Sequence, residues 1–294
     1  MSRVPVLVTS LGILILSCMD AMMKSVASSY PLAEMVGLRY LAGSTVCIIV
    51  CLSTGEALPR RAGLTRNVLR AVAVLFTAAA FFTAISRLPL VEAVSLTFLA
   101  PLFTAGLGHV LLKERVGARV GLGIAFGLLG VCIIGAGQSF DPNHALDVLG
   151  IGAALGCAFF YALSNVLVRR SAGADSALMT VTLANVIVSL LVFPPMAATW
   201  QAPSLAHGVV FGAAGLLGTA GHLCLAWSYV RAPAGHLGVL EYSAFIWTSI
   251  LGLVFFGEVP SGFTMLGAGV IIAACIFSSW RTAHPDVQPI TPPA

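Results

Sequence analysis

Apolar residues along this chain fall in long runs with short polar punctuation between them. Runs of roughly 20 residues recur at 4–27, 32–52, 67–86, 91–112, 119–137, 146–168, 177–198, 205–230, 235–257 and 261–280. Each has the length that an α-helix needs to cross the hydrocarbon core of a bilayer. The pattern predicts ten membrane-spanning helices. Turn and breaker residues mark the gaps: Tyr30-Pro31, Gly55 to Pro59, Leu88-Pro89, Asp141-Pro142-Asn143, Gly173, Pro203 and Pro233. No gap is long enough for a soluble domain. The end of the chain, residues 286–294, is Pro-rich and polar and reads as a disordered tail.

Composition agrees with a bilayer as solvent. The 294 residues are 59% hydrophobic and 9% charged, with a mean hydropathy of +1.00. Soluble domains run nearer about 25% charged, and so few charges could not cover a soluble surface. Soluble enzymes, nucleic-acid binders and disordered proteins are poor readings. Arg3 followed by an apolar run resembles a signal peptide, and Ile15 to Cys18 faintly resembles a lipoprotein cleavage box. Leu16 is too large for that box, so the segment is read as the first membrane helix. The seven cysteines all lie in apolar runs, with neither CxxC nor zinc-ligand spacing, and read as buried packing residues.

Charge sets an expected orientation. With the N-terminus inside, only Lys24, Arg39 and Arg87 of the fifteen Lys and Arg fall in the outer half or outside. The excess of inner charges predicts a multi-pass inner-membrane protein with both termini cytoplasmic.

A second pattern is internal. A shift of 144 residues lays Arg87 on Arg231, Pro89 on Pro233, Leu96 on Leu240, Ala100 on Ala244, Glu114 on Glu258 and Gly123 on Gly267, without a gap. The chain then divides into two five-helix units, 1–140 and 141–285. Five is odd, so the second unit enters the membrane inverted. Inverted repeats are a recurrent transporter architecture, with the substrate site where they meet.

These residues resemble the EamA family of the drug/metabolite transporter superfamily, with the YddG-type amino-acid exporters as the nearest subgroup. The likeness rests on the two five-helix units, Leu112 and Glu114 ending span four, the Gly-rich fifth span, and Pro31-Leu32-Ala33-Glu34 leading to Arg39-Tyr40. It covers nearly the whole chain. It implies that spans one, three, four, six, eight and nine line a central cavity, while two, five, seven and ten support them. Pro89, Pro101 and Pro233 are the candidate hinges. Phe245 stands where the first half has Pro101, so a mid-helix kink is expected in span four and not necessarily in span nine.

Charges inside the membrane each need a reason. Asp20 and Lys24 lie one helical turn apart and can face the same way. Glu34 and Arg39 are offset by roughly 140° around a helix and are not expected to pair. Asp20 and Arg39 come out at similar depth, so an Asp20–Arg39 bridge is expected. Asp20, Arg39 and Glu34 are read either as structural staples or, for Asp20 and Lys24, as contacts for a cargo's charged groups. His222 and Glu241, at similar depth on spans eight and nine, are candidates for a coupling proton or, for Glu241, a cargo ammonium. Phe81, Tyr161, Ser164, Asn165, Trp227, Tyr242 and Trp247 complete the candidate cavity lining. Gly117/Gly121, Gly123/Gly127, Gly152/Gly156 and Gly208/Gly212 have small-xxx-small spacing and are read as close helix approaches. A monomer is expected, with a dimer through span five as the alternative.

HExxH, GxSxG and Walker sequences do not occur, which argues against an intramembrane enzyme and implies neither metal, cofactor nor ATP. The expected partners are the lipid bilayer and a small-molecule cargo. The reading is a secondary-active or facilitative exporter of small metabolites, amino acids foremost. Nucleosides, sugars and lipophilic cations stay open as cargo.

Overall fold

The computed structural model describes residues 3–55, 61–112, 118–140, 147–170, 176–229, 231 and 240–279. Among them all regular structure is helical: α1 (Arg3–Val26), α2 (Leu32–Thr54), α3 (Arg61–Arg87), α4 (Leu90–Thr97), α5 (Ala100–Leu112), α6 (Ala118–Phe140), α7 (Val148–Arg170), α8 (Ala177–Ala198), α9 (Leu205–Tyr229), α10 (Ala244–Phe256) and α11 (Gly262–Ser279). Seven stretches are long and apolar enough to cross a membrane, Leu90–Leu111 among them as α4 plus α5. Shorter apolar helices at Gly121–Gly137, Ala244–Phe256 and Gly262–Phe277 account for the other three expected spans. The exterior carries exposed Leu41, Ile49, Leu52, Phe126, Leu190, Phe193, Met265 and Leu266, which only lipid would tolerate in such number. This is a multi-pass membrane protein. Pro233, Glu114, Gly117 and the tail 286–294 lie outside the described residues.

Packing carries the symmetry that the 144-residue shift implies. Exchanging the halves turns the α3–α7 contact into α9–α1, α5–α7 into α10–α1, and α2–α9 into α8–α3, and all of these pairs pack together. The pairs α2–α8 and α6–α11 map onto themselves, and α10, the equivalent of α5, also packs on α4. Direction follows from the residues that touch. Along α2 and α8, Gly37 meets Met196, Ser44 meets Ser189, and Cys51 meets Thr182. Along α6 and α11, Gly130 meets Ile271, Ile134 meets Gly267, and Gly137 meets Phe263. One number rises as the other falls, so equivalent helices run antiparallel. The second repeat is inverted relative to the first.

Of the glycines that spacing singles out, Gly127 is tightly packed, since a Cβ there would lie 2.7 Å from Leu102 Cδ1, but the reciprocal backbone approaches rest on others. A Cβ on Gly130 would lie 2.8 Å from the Gly267 carbonyl, and one on Gly267 would lie 2.7 Å from the Gly130 carbonyl. Gly12 and Gly221 stand in the same reciprocal relation at the α1–α9 crossing. Gly121, Gly152, Gly208 and Gly212, by contrast, face open space. Small residues spaced four apart mark a helix face, but which face meets a neighbour depends on the helix rotation. Leucine at position 130 is therefore expected to lower thermal stability in detergent by about 1–3 kcal/mol through overpacking. Gly121→Ala is expected to stay within about 0.5 kcal/mol of wild type. Equal losses in both would place the crossing elsewhere.

Asp147 begins α7 as its cap: its side chain accepts from Gly150 N–H at 2.7 Å and from Arg87 at 3.0 Å. The Gly150 N–H, ahead of the Arg87 contact, holds this carboxyl below the ordinary carboxylate range. The stabilisation is present above the unfolded carboxylate pKa of about 4 and fades as pH falls through the lower folded value. Asp147→Ala is expected to cost about 1 kcal/mol near neutrality, the usual loss for a cap. Melting curves of the two proteins should converge in acid.

Candidate functional site

Span four breaks between α4 and α5. Pro101 has no N–H for the Thr97 carbonyl, and its ring crowds that carbonyl, so α4 ends at Thr97 and Ala100 starts anew. Shorter bonds from Phe98 N–H to Ser95 and from Leu99 N–H to Leu96 bridge the gap. Span nine breaks at the equivalent place, Tyr242–Ser243, although it has Phe245 in place of the proline. Here Ser243 N–H bonds to Leu240, and Phe245 N–H to Tyr242. The break expected in span four is present, and span nine, where proline did not require one, breaks as well. The two breaks touch: the Phe98 and Tyr242 rings, equivalent under the shift (98 + 144 = 242), meet edge-on at 5.2 Å between centroids. Discontinuous helices meeting at a repeat interface are how transporters bring backbone polar groups to a central site. The Phe98 carbonyl already takes a bond from Cys275 Sγ at 3.1 Å.

One end of the bundle is laced shut. Gly257, in the left-handed conformation at φ +67°, ends α10 and turns the chain so that Glu258 faces α1. Lys24 Nζ lies 2.5 Å from Glu258 Oε1 and donates to the Leu88 carbonyl at 2.7 Å. Glu258 Oε2 accepts from Leu90 N–H at 2.7 Å. Close by, buried Glu92 accepts from Thr264 Oγ1 at 2.9 Å. The latch ties α1, the start of α4 and the end of α10, so it joins the two repeats across the space between them.

Deeper in, polar side chains of both repeats lie within electrostatic reach of one another, with Arg39 of α2 reached by both Asp20 and His222. Asp20 comes from α1, Tyr161 and Asn165 from α7, and His222 from α9. Tyr161 and Asn165 interact through their side chains, and Glu241 lies within electrostatic reach of Tyr161. His222 is exposed and bonds through Nδ1 to the Gly218 carbonyl at 2.6 Å.

Comparison with known proteins decides what the frame is. The sequence model of the EamA-like transporter family matches twice, over residues 4–136 and 148–280. The chain belongs to the EamA-like transporter family. It is similar to the pseudopaline exporter CntI of Pseudomonas aeruginosa, 25% identical over 92% of this chain and 94% of that protein. It is also similar to a riboflavin transporter of Vibrio cholerae, 27% identical over 66% of this chain and 64% of that one. Human solute carrier family 35 member G1 is 23% identical over 74% of this chain and 62% of its own. A solved crystal structure, 22% identical, superposes with a TM-score of 0.65 over 95% of this chain and 99% of its own, and shows the shared fold.

Within this EamA frame the site residues sort unevenly. The expected Asp20–Arg39 bridge does not form: among the described residues neither Asp20 nor Arg39 is in an ion pair, and Asp20 feels Arg39 only at longer range. Glu34 is buried and makes no ion pair either; its Oε1 accepts from Gln201 N–H. Similar depth was not enough, because depth says nothing of which way a side chain turns. Lys24 is engaged by the latch, through Glu258 and the Leu88 carbonyl. His222 and Glu241 are not joined: His222 holds its own helix, while Glu241 lies near Tyr161 and Tyr242. Trp227 lies under Arg231, with the guanidinium 4.1 Å from its ring centroid, at the end of α9. Phe81 is half-buried against the core beside Phe82, Ser164 is buried, and Trp247 is half-buried on α10. Sequence reasoning missed Glu258 as a latch and Glu92 altogether. The match of Glu114 to Glu258 was a visible signal for the former.

Lys24→Met leaves Glu258 half-buried without its counter-charge, and is expected to weaken closure by about 1–3 kcal/mol, between surface and buried pairs. Ala21 is buried one turn below Lys24. A cysteine placed at Ala21 in a background with the native cysteines replaced should react with maleimide several-fold faster when Lys24→Met is added. Adding Glu258→Gln as well should not speed it further, since the pair acts as one unit. Unchanged labelling with Lys24→Met would mean that the latch does not hold this end closed.

Proposed function

We propose that this protein exports small zwitterionic metabolites, amino acids foremost, across a bacterial inner membrane by alternating access between its two repeats. The repeats are taken as residues 1–140 and 141–285. One observation supports the reading: acidic, basic and aromatic side chains of the two inverted repeats lie within electrostatic reach of one another, while Lys24 and Glu258 lace the repeats together at one end. With both termini cytoplasmic, as the Lys and Arg distribution favours, the laced end faces outward and the cleft opens inward. Rocking would then release the latch and expose the cleft outside, with the breaks at Phe98–Leu99 and Tyr242–Ser243 as flexing points. The protein acts on this reading as a monomer.

The likeness to the pseudopaline exporter over 92% of the chain favours a second cargo, pseudopaline itself, within the same mechanism. Counterflow in proteoliposomes tests both, with radiolabelled amino acids, pseudopaline and riboflavin presented singly at two pH values. Accumulation of several amino acids above empty vesicles is the expected result. Accumulation of pseudopaline alone would make the second reading the right one. No amino acid carried by correctly folded protein would sink the first.

A further inference from the structure

Arg39 is a charge deep in the bundle that neither the latch nor the helix crossings use. It is only 4% exposed. Among the described residues no hydrogen bond or ion pair reaches its guanidinium, and its Nε is buried with no partner. What it has is the Tyr40 ring, 4.1 Å from the guanidinium carbon, and the bare face of Gly218. A Cβ on Gly218 would stand 2.5 Å from an Arg39 terminal nitrogen and 3.1 Å from its central carbon. The arginine of the first repeat therefore lies flat in a notch of the second. Gly218 is the fourteenth of the 25 residues of α9, so the notch is near the middle of the helix. The Gly218 carbonyl also fixes exposed His222, which places that ring beside the notch. Asp20, on α1, is within electrostatic reach of Arg39.

A fixed cation at mid-membrane, desolvated and unpaired, is costly and persists only if something repays it. Structural arginines in such places are normally saturated, because five donors in a rigid fork leave many bonds to fill. This one is held by a ring and a glycine notch, contacts that orient a guanidinium without filling its donors. We infer that Arg39 is the anion subsite of the cleft and receives a carboxylate of the cargo. Asp20, which no described residue pairs, receives the cargo's ammonium. Planar, forked geometry matches a carboxylate in two parallel hydrogen bonds, which an ammonium in its place would not. The repeat shift gives neither residue a charged twin: 39 + 144 falls on Leu183, and 20 + 144 on Ser164. The frame therefore holds one such subsite. It rests on the proposed zwitterion transport but is testable without it.

The test uses purified full-length protein and simple probes. Benzoate should raise the thermal midpoint of the wild type in a saturable manner, and benzamide, its uncharged isostere, should not. Arg39→Gln should weaken benzoate binding about 30-fold or more, the scale for losing one partner of a desolvated charge pair. If Arg39→Gln does not fold, Gly218→Ala keeps the charge and crowds the fork, and should weaken benzoate several-fold in folded protein. In proteoliposomes, phenylalanine should exchange and phenylalaninamide should not. Equal stabilisation by benzoate and benzamide, or benzoate binding untouched in both variants, would overturn the subsite. Benzoate binding through Arg39 without amino-acid exchange would leave the subsite standing and remove the zwitterion reading. Exchange of phenylalanine and its amide alike would show that transport needs no carboxylate and would overturn the subsite.

Discussion

Five crossings per copy is the constraint on which the structure turns. A duplicated unit with an odd number of spans must enter the bilayer upside down the second time. Its equivalent helices can then pack only as antiparallel pairs about an axis in the membrane plane. The contacts show this directly, as α2 lies antiparallel to α8 and α6 to α11. The same axis explains why Phe98 meets Tyr242: a residue on a two-fold axis touches its own equivalent. Close approach at the crossings needs glycine on both partners, because the backbones of Gly130 and Gly267, and of Gly12 and Gly221, nearly touch.

Much of this could be read from the chain, and the boundary of what could is physical. Spans were legible because hydrocarbon demands an unbroken apolar length, and the repeat because Arg87, Pro89, Glu114 and Gly123 recur at one shift. The break in span four was legible because proline removes a specific donor. Its twin at Tyr242–Ser243 was not, since no residue there lacks a donor. That break lies against Phe98 and depends on tertiary packing. Ion pairs were misread for a related reason. Depth follows from counting residues, but partners depend on rotation about the helix axis and on which neighbour offers a gap. Gly218 supplies that gap to Arg39, and nothing local to Arg39 announces it.

Symmetry of the frame contrasts with asymmetry of the charges placed on it. The backbone pairs exchange cleanly between halves, yet Asp20 and Arg39 match Ser164 and Leu183. A two-fold site with charges in both copies would bring like charges toward each other around the axis, at high cost in low dielectric. A single acid and a single base, Asp20 and Arg39 of the first repeat, avoid that cost. They also give an asymmetric cargo one orientation instead of two.

The latch carries the same asymmetry into the energetics of alternation. If both ends closed by equivalent contacts, the inward-open and outward-open states of a two-fold frame would be nearly isoenergetic when empty. The shift places Val168 where the first repeat has Lys24 (24 + 144 = 168), so the lysine of the latch has no equivalent in the second repeat. One closure is then strengthened by the Lys24–Glu258 ion pair with two further backbone bonds, a set that the second repeat's residues do not repeat at the same positions. Such a difference biases the empty carrier toward one side, and a cargo can reverse it only through its own preference between the two states. In this protein Lys24 adds to that bias through Glu258, and any cargo that reverses it must act through groups the latch does not occupy.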